Sequence, residues 1–216
     1  RANLESRLAS RVLWRVGGGP YRDEHALYDL VKAIDWKAHF APARTLRVDI
    51  AAKRSPLQSL EFATLRVKDA ICDRLRDDTG VRPSVDKRQP DVRVAVYLTD
   101  RDATVYLDTS GEPLFKRGYR RDTDEAPLRE NLAAGLLALA GWTPDVPLLD
   151  PFCGSGTIVI EAATIASGRA PGLNPRFAFA RLKGFDSHAW RTLKDAARAS
   201  VRDDAQAVLR GSDIST

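Results

Sequence analysis

The sequence has 216 residues, 34 of them basic and 29 acidic, for a formal net charge of +5. With 44% hydrophobic and 29% charged residues, it has the balance of a chain that buries a core, which excludes a disordered or fibrous polymer. Its two cysteines, Cys72 and Cys153, form no disulfide framework and fit a reducing compartment, so a cytoplasmic protein is expected. No apolar run is long enough to span a bilayer, and no membrane partner is expected. The mild basic excess permits a polyanionic partner. The chain opens on Arg1 and contains no methionine, so we expect a piece of a longer protein, cut at both ends.

Residues 1–43 carry Leu4, Leu8, Val12, Leu13 and Val16 at helix-then-strand spacing. Gly17-Gly18-Gly19-Pro20 is expected to break the element. Asp23 is positioned to cap a helix running through Leu27, Leu30, Val31 and Ile34 to Trp36. This stretch reads as part of a small ferredoxin-like α+β module whose first strand is missing.

Residues 44–110 read as a second α+β unit. Thr45 to Ile50 alternates apolar and polar residues, as a half-buried strand does. Ser59 is a cap for a helix with Leu60, Ala63, Val67, Ala70, Ile71 and Leu75 on one face, and Gly80 lies past its end. Val92–Leu98 and Ala103–Leu107 read as a hairpin turned at 99–102. Lys53, Arg54, Lys68, Arg82, Lys87 and Arg88 form either a phosphate-facing set or a scatter of solvated charges among Asp69, Asp73, Asp77, Asp78, Asp86 and Asp91.

Residues 111–126 form a basic linker. Leu114-Phe115-Lys116-Arg117-Gly118-Tyr119-Arg120-Arg121 holds four basic and two aromatic residues in eight positions. Basic groups bind phosphates, and a ring or guanidinium stacks on an unpaired base. Lys116, Arg117, Tyr119 and Arg120 are therefore candidates for contact with RNA or a cofactor. The plainer reading packs the two rings against a sheet edge.

From 127 onward the pattern is α/β. A helix over 127–141, started by Pro127 and ended by Gly141, has few polar positions after Asn131 and is expected to be mostly buried on a sheet face. Leu148-Leu149-Asp150 is a short buried strand, Pro151 to Gly156 a tight turn, and Thr157–Ala166 an apolar helix. Ligands of open α/β sheets bind at such strand ends. A carboxylate facing a glycine turn suits amine or sugar hydroxyl groups. No phosphate-loop lysine is present, and Val159 stands where a dinucleotide loop would place its third glycine. Phe177, Phe179, Leu182 and Phe185 are expected to cover this sheet. Ser187 opens an amphipathic helix carrying Trp190, Leu193, Ala197, Val201, Ala205 and Leu209. Asp213 is expected at the tip of a second strand, where a carboxylate can hold vicinal ribose hydroxyls. It lies 57 positions beyond Gly156, against roughly 20 in the simple dinucleotide unit.

Asp150-Pro151-Phe152-Cys153-Gly154-Ser155-Gly156-Thr157 resembles the S-adenosylmethionine loop of class I methyltransferases that modify base amines. Glu161-Ala162-Ala163 and Arg169-Ala170-Pro171-Gly172-Leu173 extend the likeness to THUMP-containing RNA guanine-N2 methyltransferases, above all the bacterial 23S ribosomal RNA family. Lys53-Arg54-Ser55-Pro56, Ser59-Leu60-Glu61 and Val81-Arg82-Pro83 resemble its THUMP part, and Lys116–Arg120 its linker. The resemblance implies a THUMP domain over 44–110 and the start of a Rossmann-like class I methyltransferase domain over 127–216. It further implies S-adenosylmethionine held by residues 150–157 and Asp213, and 23S ribosomal RNA or a large-subunit assembly intermediate as partner.

The residues expected to meet RNA are Lys53, Arg54, Lys68, Arg82, Lys116, Arg117, Tyr119 and Arg120. The family's Asn/Asp-Pro-Pro-Tyr/Phe catalytic loop has no counterpart in these 216 residues. No catalytic residue is therefore expected in the chain, and by itself it is expected not to methylate. His25, His39 and His188 are dispersed, so no metal is expected, and Cys153 reads as a small packing residue. The alternatives are methylation of transfer RNA guanine or of DNA adenine N6, and a non-catalytic RNA-binding module.

Overall fold

The computed structural model describes residues 1–119, 128–204 and 206–214. The backbone divides into two compact units. One holds Leu13–Gly111 together with Phe177–Phe185, and the other holds Arg1–Val12, Glu112–Arg176 and Asp186–Thr216. A four-residue helix, α1 (Ala2–Glu5), belongs to the second unit.

The first unit is built on a four-stranded sheet made of β1 (Leu13–Pro20), β2 (Leu46–Ala52), β3 (Val92–Leu98) and β4 (Asp102–Asp108). The strand order is β1-β4-β3-β2, antiparallel except for the parallel β2–β3 pair. A parallel pair needs a crossover, and α3 (Leu60–Thr79) supplies it. The Ser59 hydroxyl accepts from the Phe62 N–H at the start of α3, and Gly80 ends it in the left-handed region at φ 75°. Between these caps, Ala63, Val67, Ala70, Ile71 and Leu75 recur at helical spacing and are fully buried. Each large side chain of that stripe contributes about 1.5–3 kcal/mol. Leu60, expected on the same face, is instead exposed at the first turn. The helix α2 (Glu24–Lys32) packs beside α3, and the Asp23 carboxylate caps it by accepting from the Ala26 N–H.

Two expectations are corrected here. The glycine run does not break an element, because β1 continues through it to Pro20 and pairs with β4 along its length. A side chain on Gly18 would place Cβ 2.7 Å from the Ala103 carbonyl, so the residues read as a break are those that let two backbones approach. Nor does the structure divide at residue 43. The strand and helix from 13–32 share one sheet and one core with residues 46–108.

The segment Phe177–Phe185 returns to this same unit. Ala178 and Phe179 donate backbone hydrogen bonds to Ser110 and Thr109, Lys183 donates to His39, and Leu182 is buried in the core. Phe179 and Leu182 therefore pack on the core of the first unit, not on the second sheet as the sequence suggested.

The second unit pairs β5 (Leu148–Asp150) with β6 (Leu209–Gly211) in parallel. Two helices, α4 (Glu130–Leu139) and α5 (Thr157–Ala166), pack on each other. Ala133, Ala134, Leu137, Ala162 and Ala166 are their buried apolar residues. The outer face of α4 is not buried as its composition suggested, since Leu132, Leu136 and Leu139 are exposed. The amphipathic helix α6 (Ser187–Ala199) begins at Ser187 as expected, with the Asp186 carboxylate as its cap, but it stops before Leu209, which lies in β6. Among the described residues, no helix is long and apolar enough to cross a membrane.

Candidate cofactor site at the β5 and β6 tips

The parallel pairing of β5 with β6 brings the two strand ends side by side. Beyond the ladder, Ser212 N–H donates to the Asp150 carbonyl and Cys153 N–H donates to the Ser212 carbonyl, both at 3.0 Å. The tip of β6 is thereby joined to the turn after β5. The Asp150 carboxylate accepts from Phe152 N–H at 3.2 Å, which closes the turn as an Asx motif. Asp213 Oδ2 accepts from Gly154 N–H at 2.7 Å. Residues 59 positions apart thus meet in one bond, with Asp213 just beyond the end of β6.

Two glycines make the turn possible. Gly154 and Gly156 have φ of 50° and 76°, which costs other residues about 1 kcal/mol or more. A Cβ at Gly154 would meet nothing within 4 Å, so the space over the turn is open. Phe152 is 88% exposed beside it. Gly156 caps α5, whose first residue, Thr157, is buried. Pro151, Gly154 and Ser155 are exposed and Cys153 is partly buried. All nine residues expected at a cofactor therefore lie on one turn and the neighbouring strand tip. Two carboxylates and open backbone suit a ligand with hydroxyl and amine donors.

The RNA candidates do not behave as one set. Lys53 and Arg54 are exposed and form no ion pair among the described residues. Lys68 pairs with Asp69 at 2.8 Å. Arg82 forks onto Asp69 and Asp73. Lys116 pairs with Glu112. Arg120 lies outside the described residues. Arg117 is corrected outright, because its side chain is 4% exposed and bonds the Leu114 and Arg7 carbonyls and Glu161 Oε1. A buried guanidinium held by three protein acceptors is an anchor, not a phosphate contact.

Glu161 was missed as a structural centre. It is 1% exposed in α5. Its Oε1 accepts from Tyr119 OH at 3.1 Å and Arg117 Nε at 3.4 Å, and Arg7 Nη1 lies 3.7 Å from Oε2. Arg7 also bonds Thr164 and the Arg169 carbonyl. Burial, reinforced by the neighbouring carboxylate, raises the Tyr119 phenol well above the ordinary tyrosine range, so it stays a donor. Burial pulls the Arg7 guanidinium down, and Glu161 opposes this. The signal was one acidic residue inside the apolar run Thr157-Ile158-Val159-Ile160-Glu161-Ala162-Ala163, a position that requires a partner.

Helices packed beside a parallel strand pair, with carboxylates at the two strand tips over a glycine turn, match the start of a Rossmann-like class I methyltransferase domain. Residues 21–108 match the THUMP domain, and residues 117–216 match UPF0020, the RMKL-like methyltransferase domain. Both domains are thus matched along one chain, the THUMP match preceding the methyltransferase match.

The ribosomal RNA large subunit methyltransferase K/L of Syntrophotalea carbinolica is 46% identical over 204 residues, which is 92% of this chain and 28% of that protein. The structure of a predicted N6-adenine-specific DNA methylase from Listeria monocytogenes superposes with a TM-score of 0.89 at 32% identity, covering 99% of this chain and 56% of the other. SMU.472, assigned as a methyltransferase and solved in complex with SAH, superposes with a TM-score of 0.88 at 33% identity over 98% of this chain and 56% of its own. The chain spans between 28% and 56% of the length of the relatives it matches.

Proposed function

We propose that the chain is the RNA-binding and cofactor-binding part of an S-adenosylmethionine-dependent methyltransferase. Its substrate is the N2 amine of a guanine in 23S ribosomal RNA, free or in a large-subunit assembly intermediate in the cytoplasm. The observation that carries the reading is the Asp213–Gly154 bond, which sets a second carboxylate over the glycine turn beside Asp150. The K/L name of the relative and the THUMP match favour ribosomal RNA over DNA.

Residues 150–157 and Asp213 hold the cofactor in this reading. Asp213 takes the ribose hydroxyls, and its bond from Gly154 fixes the carboxylate before the ligand arrives. A carboxylate has two acceptor oxygens, the geometry that a vicinal diol's two O–H donors require. Gly154 and Gly156 leave the backbone accessible, and Asp150 faces the amine-bearing end. When bound, S-adenosylmethionine supplies a methyl already activated on a sulfonium. The protein's task is then to orient the base amine in line with it and to exclude water. Lys53 and Arg54, together with exposed Lys87 and Arg88, are the phosphate contacts this reading favours. Lys68, Arg82 and Lys116 contribute once their carboxylate partners yield.

The test uses the full-length protein with methyl-labelled S-adenosylmethionine and, separately, unmodified ribosomal RNA, transfer RNA and DNA. Label in N2-methylguanosine from ribosomal RNA alone is the expected result. Label in N6-methyladenine from DNA overturns it.

A further inference from the structure

Beside α5 lies a cavity of about 290 Å³ with Tyr119, Ile160, Glu161, Pro171, Leu173 and Asn174 in its walls. It is distinct from the turn over Asp150 and Asp213, since among the described residues none of 150–157 lines it. Its floor holds an unmet acceptor. Glu161 Oε2 is buried and has no hydrogen-bond partner among the described residues, while Oε1 takes both Tyr119 and Arg117. Arg7 forms an ion pair with Oε2 at 3.7 Å, beyond hydrogen-bond reach, while three of its five N–H donors go to Thr164 and the Arg169 carbonyl. A buried acceptor left unmet costs about 1–3 kcal/mol, so a ligand that donates one hydrogen bond there is favoured.

The surroundings narrow the ligand. Arg7, Arg117 and Arg169 outnumber Glu161, which disfavours a cation. A bare anion would face the carboxylate. A neutral, flat ring bearing an N–H, attached to a phosphate, satisfies both. Ile160, Pro171 and Leu173 give apolar walls, and the Tyr119 ring gives an aromatic surface on which any base can stack. Asn174 is exposed at the opening, and Arg169 is exposed with its guanidinium outside any ion pair among the described residues. The volume is at the small end of ligand sites, room for one base.

We infer that this cavity is a subsite for an unpaired, amine-bearing base of the RNA, with its exocyclic N–H donating to Glu161 Oε2 and its phosphate meeting Arg169. The inference rests on the RNA reading above but is separate from the cofactor turn. Uracil is disfavoured because carbonyls flank its single N–H and would face the carboxylate.

The test measures binding of labelled oligo(A), oligo(C) and oligo(U) by the full-length protein, with SAH affinity measured in parallel. The wild type is expected to hold oligo(A) and oligo(C) about tenfold more tightly than oligo(U), the worth of one hydrogen bond to a buried acceptor. Asn174→Trp, which fills the opening, should lower both to the oligo(U) level. Equal affinity for all three oligomers, unchanged by the substitution, overturns the subsite. So does adenosine monophosphate binding as tightly as oligo(A), which would make this a site for free nucleotides. Crosslinking of an oligomer containing 6-thioguanosine to the wild type decides the matter without relying on a variant. Adducts at Tyr119 or within 160–174 support the subsite, and adducts confined elsewhere refute it. Loss of SAH binding with the base preference intact would fault the proposed function and leave the subsite standing.

Discussion

Replacing Glu161 by glutamine should open α5 at a cost set by the charges left behind. Glu161 is 1% exposed and Arg117 4% exposed, so neither is solvated in the folded state. Removing one member of a buried pair leaves the other uncompensated, at about 3–5 kcal/mol. Two features place Glu161→Gln near the lower end. The amide oxygen still accepts from Tyr119, and Arg7 keeps 21% of its side chain in contact with water. Arg117→Met should cost a similar amount, since it leaves the buried carboxylate with Arg7 as its one charged partner among the described residues. The double variant should cost well under the sum, with a coupling of about 1–3 kcal/mol. Native-state hydrogen exchange of the α5 amides in the full-length protein reads this unit alone. Additive effects within about 0.5 kcal/mol would show that the pair carries no shared energy and would refute the anchoring role.

Asp213→Asn should weaken SAH binding by about 10- to 100-fold, the worth of losing charge-assisted hydrogen bonds, and titration calorimetry on the full-length protein measures it. Gly211→Ala would place Cβ 3.1 Å from Cys153 Cβ, Cys153 Sγ and Val159 Cγ2. It should displace the turn, lowering SAH affinity with little change in RNA affinity. Burial holds the His39 imidazole below the ordinary histidine range, against the pull of Asp35. The unfolded chain therefore takes up the proton first. The stability His39 contributes is full above about pH 6.5 and declines as the pH falls below it. An NMR titration of His39 with a midpoint at or above 6.5 would contradict this. Lys53→Ala with Arg54→Ala should weaken RNA binding and reduce the salt slope by about 1 for each phosphate that the protein no longer neutralises. An unchanged slope removes both residues from the interface.

Local rules written in the chain determined much of this protein. The Ser59 and Asp23 caps, Gly80, the apolar stripe of α3 and the β3–β4 hairpin follow from hydrogen-bonding needs and periodicity. The turn from Asp150 to Gly156 was legible because few residues other than glycine adopt its backbone, and a carboxylate at a strand end is chemically distinctive. Whatever depended on residues far apart in sequence was left to the tertiary structure. Only pairing with β4 shows why Gly17-Gly18-Gly19 continues a strand, and only the backbone path returns Phe177–Phe185 to the first sheet. Composition made α4 look mostly buried, but neighbours, not composition, decide which face of a helix is covered. Arg117 read as a surface cation until the fold buried it beside Glu161. Charge is a property of a residue, whereas its partner, its solvation and hence its role are properties of the place where the chain puts it.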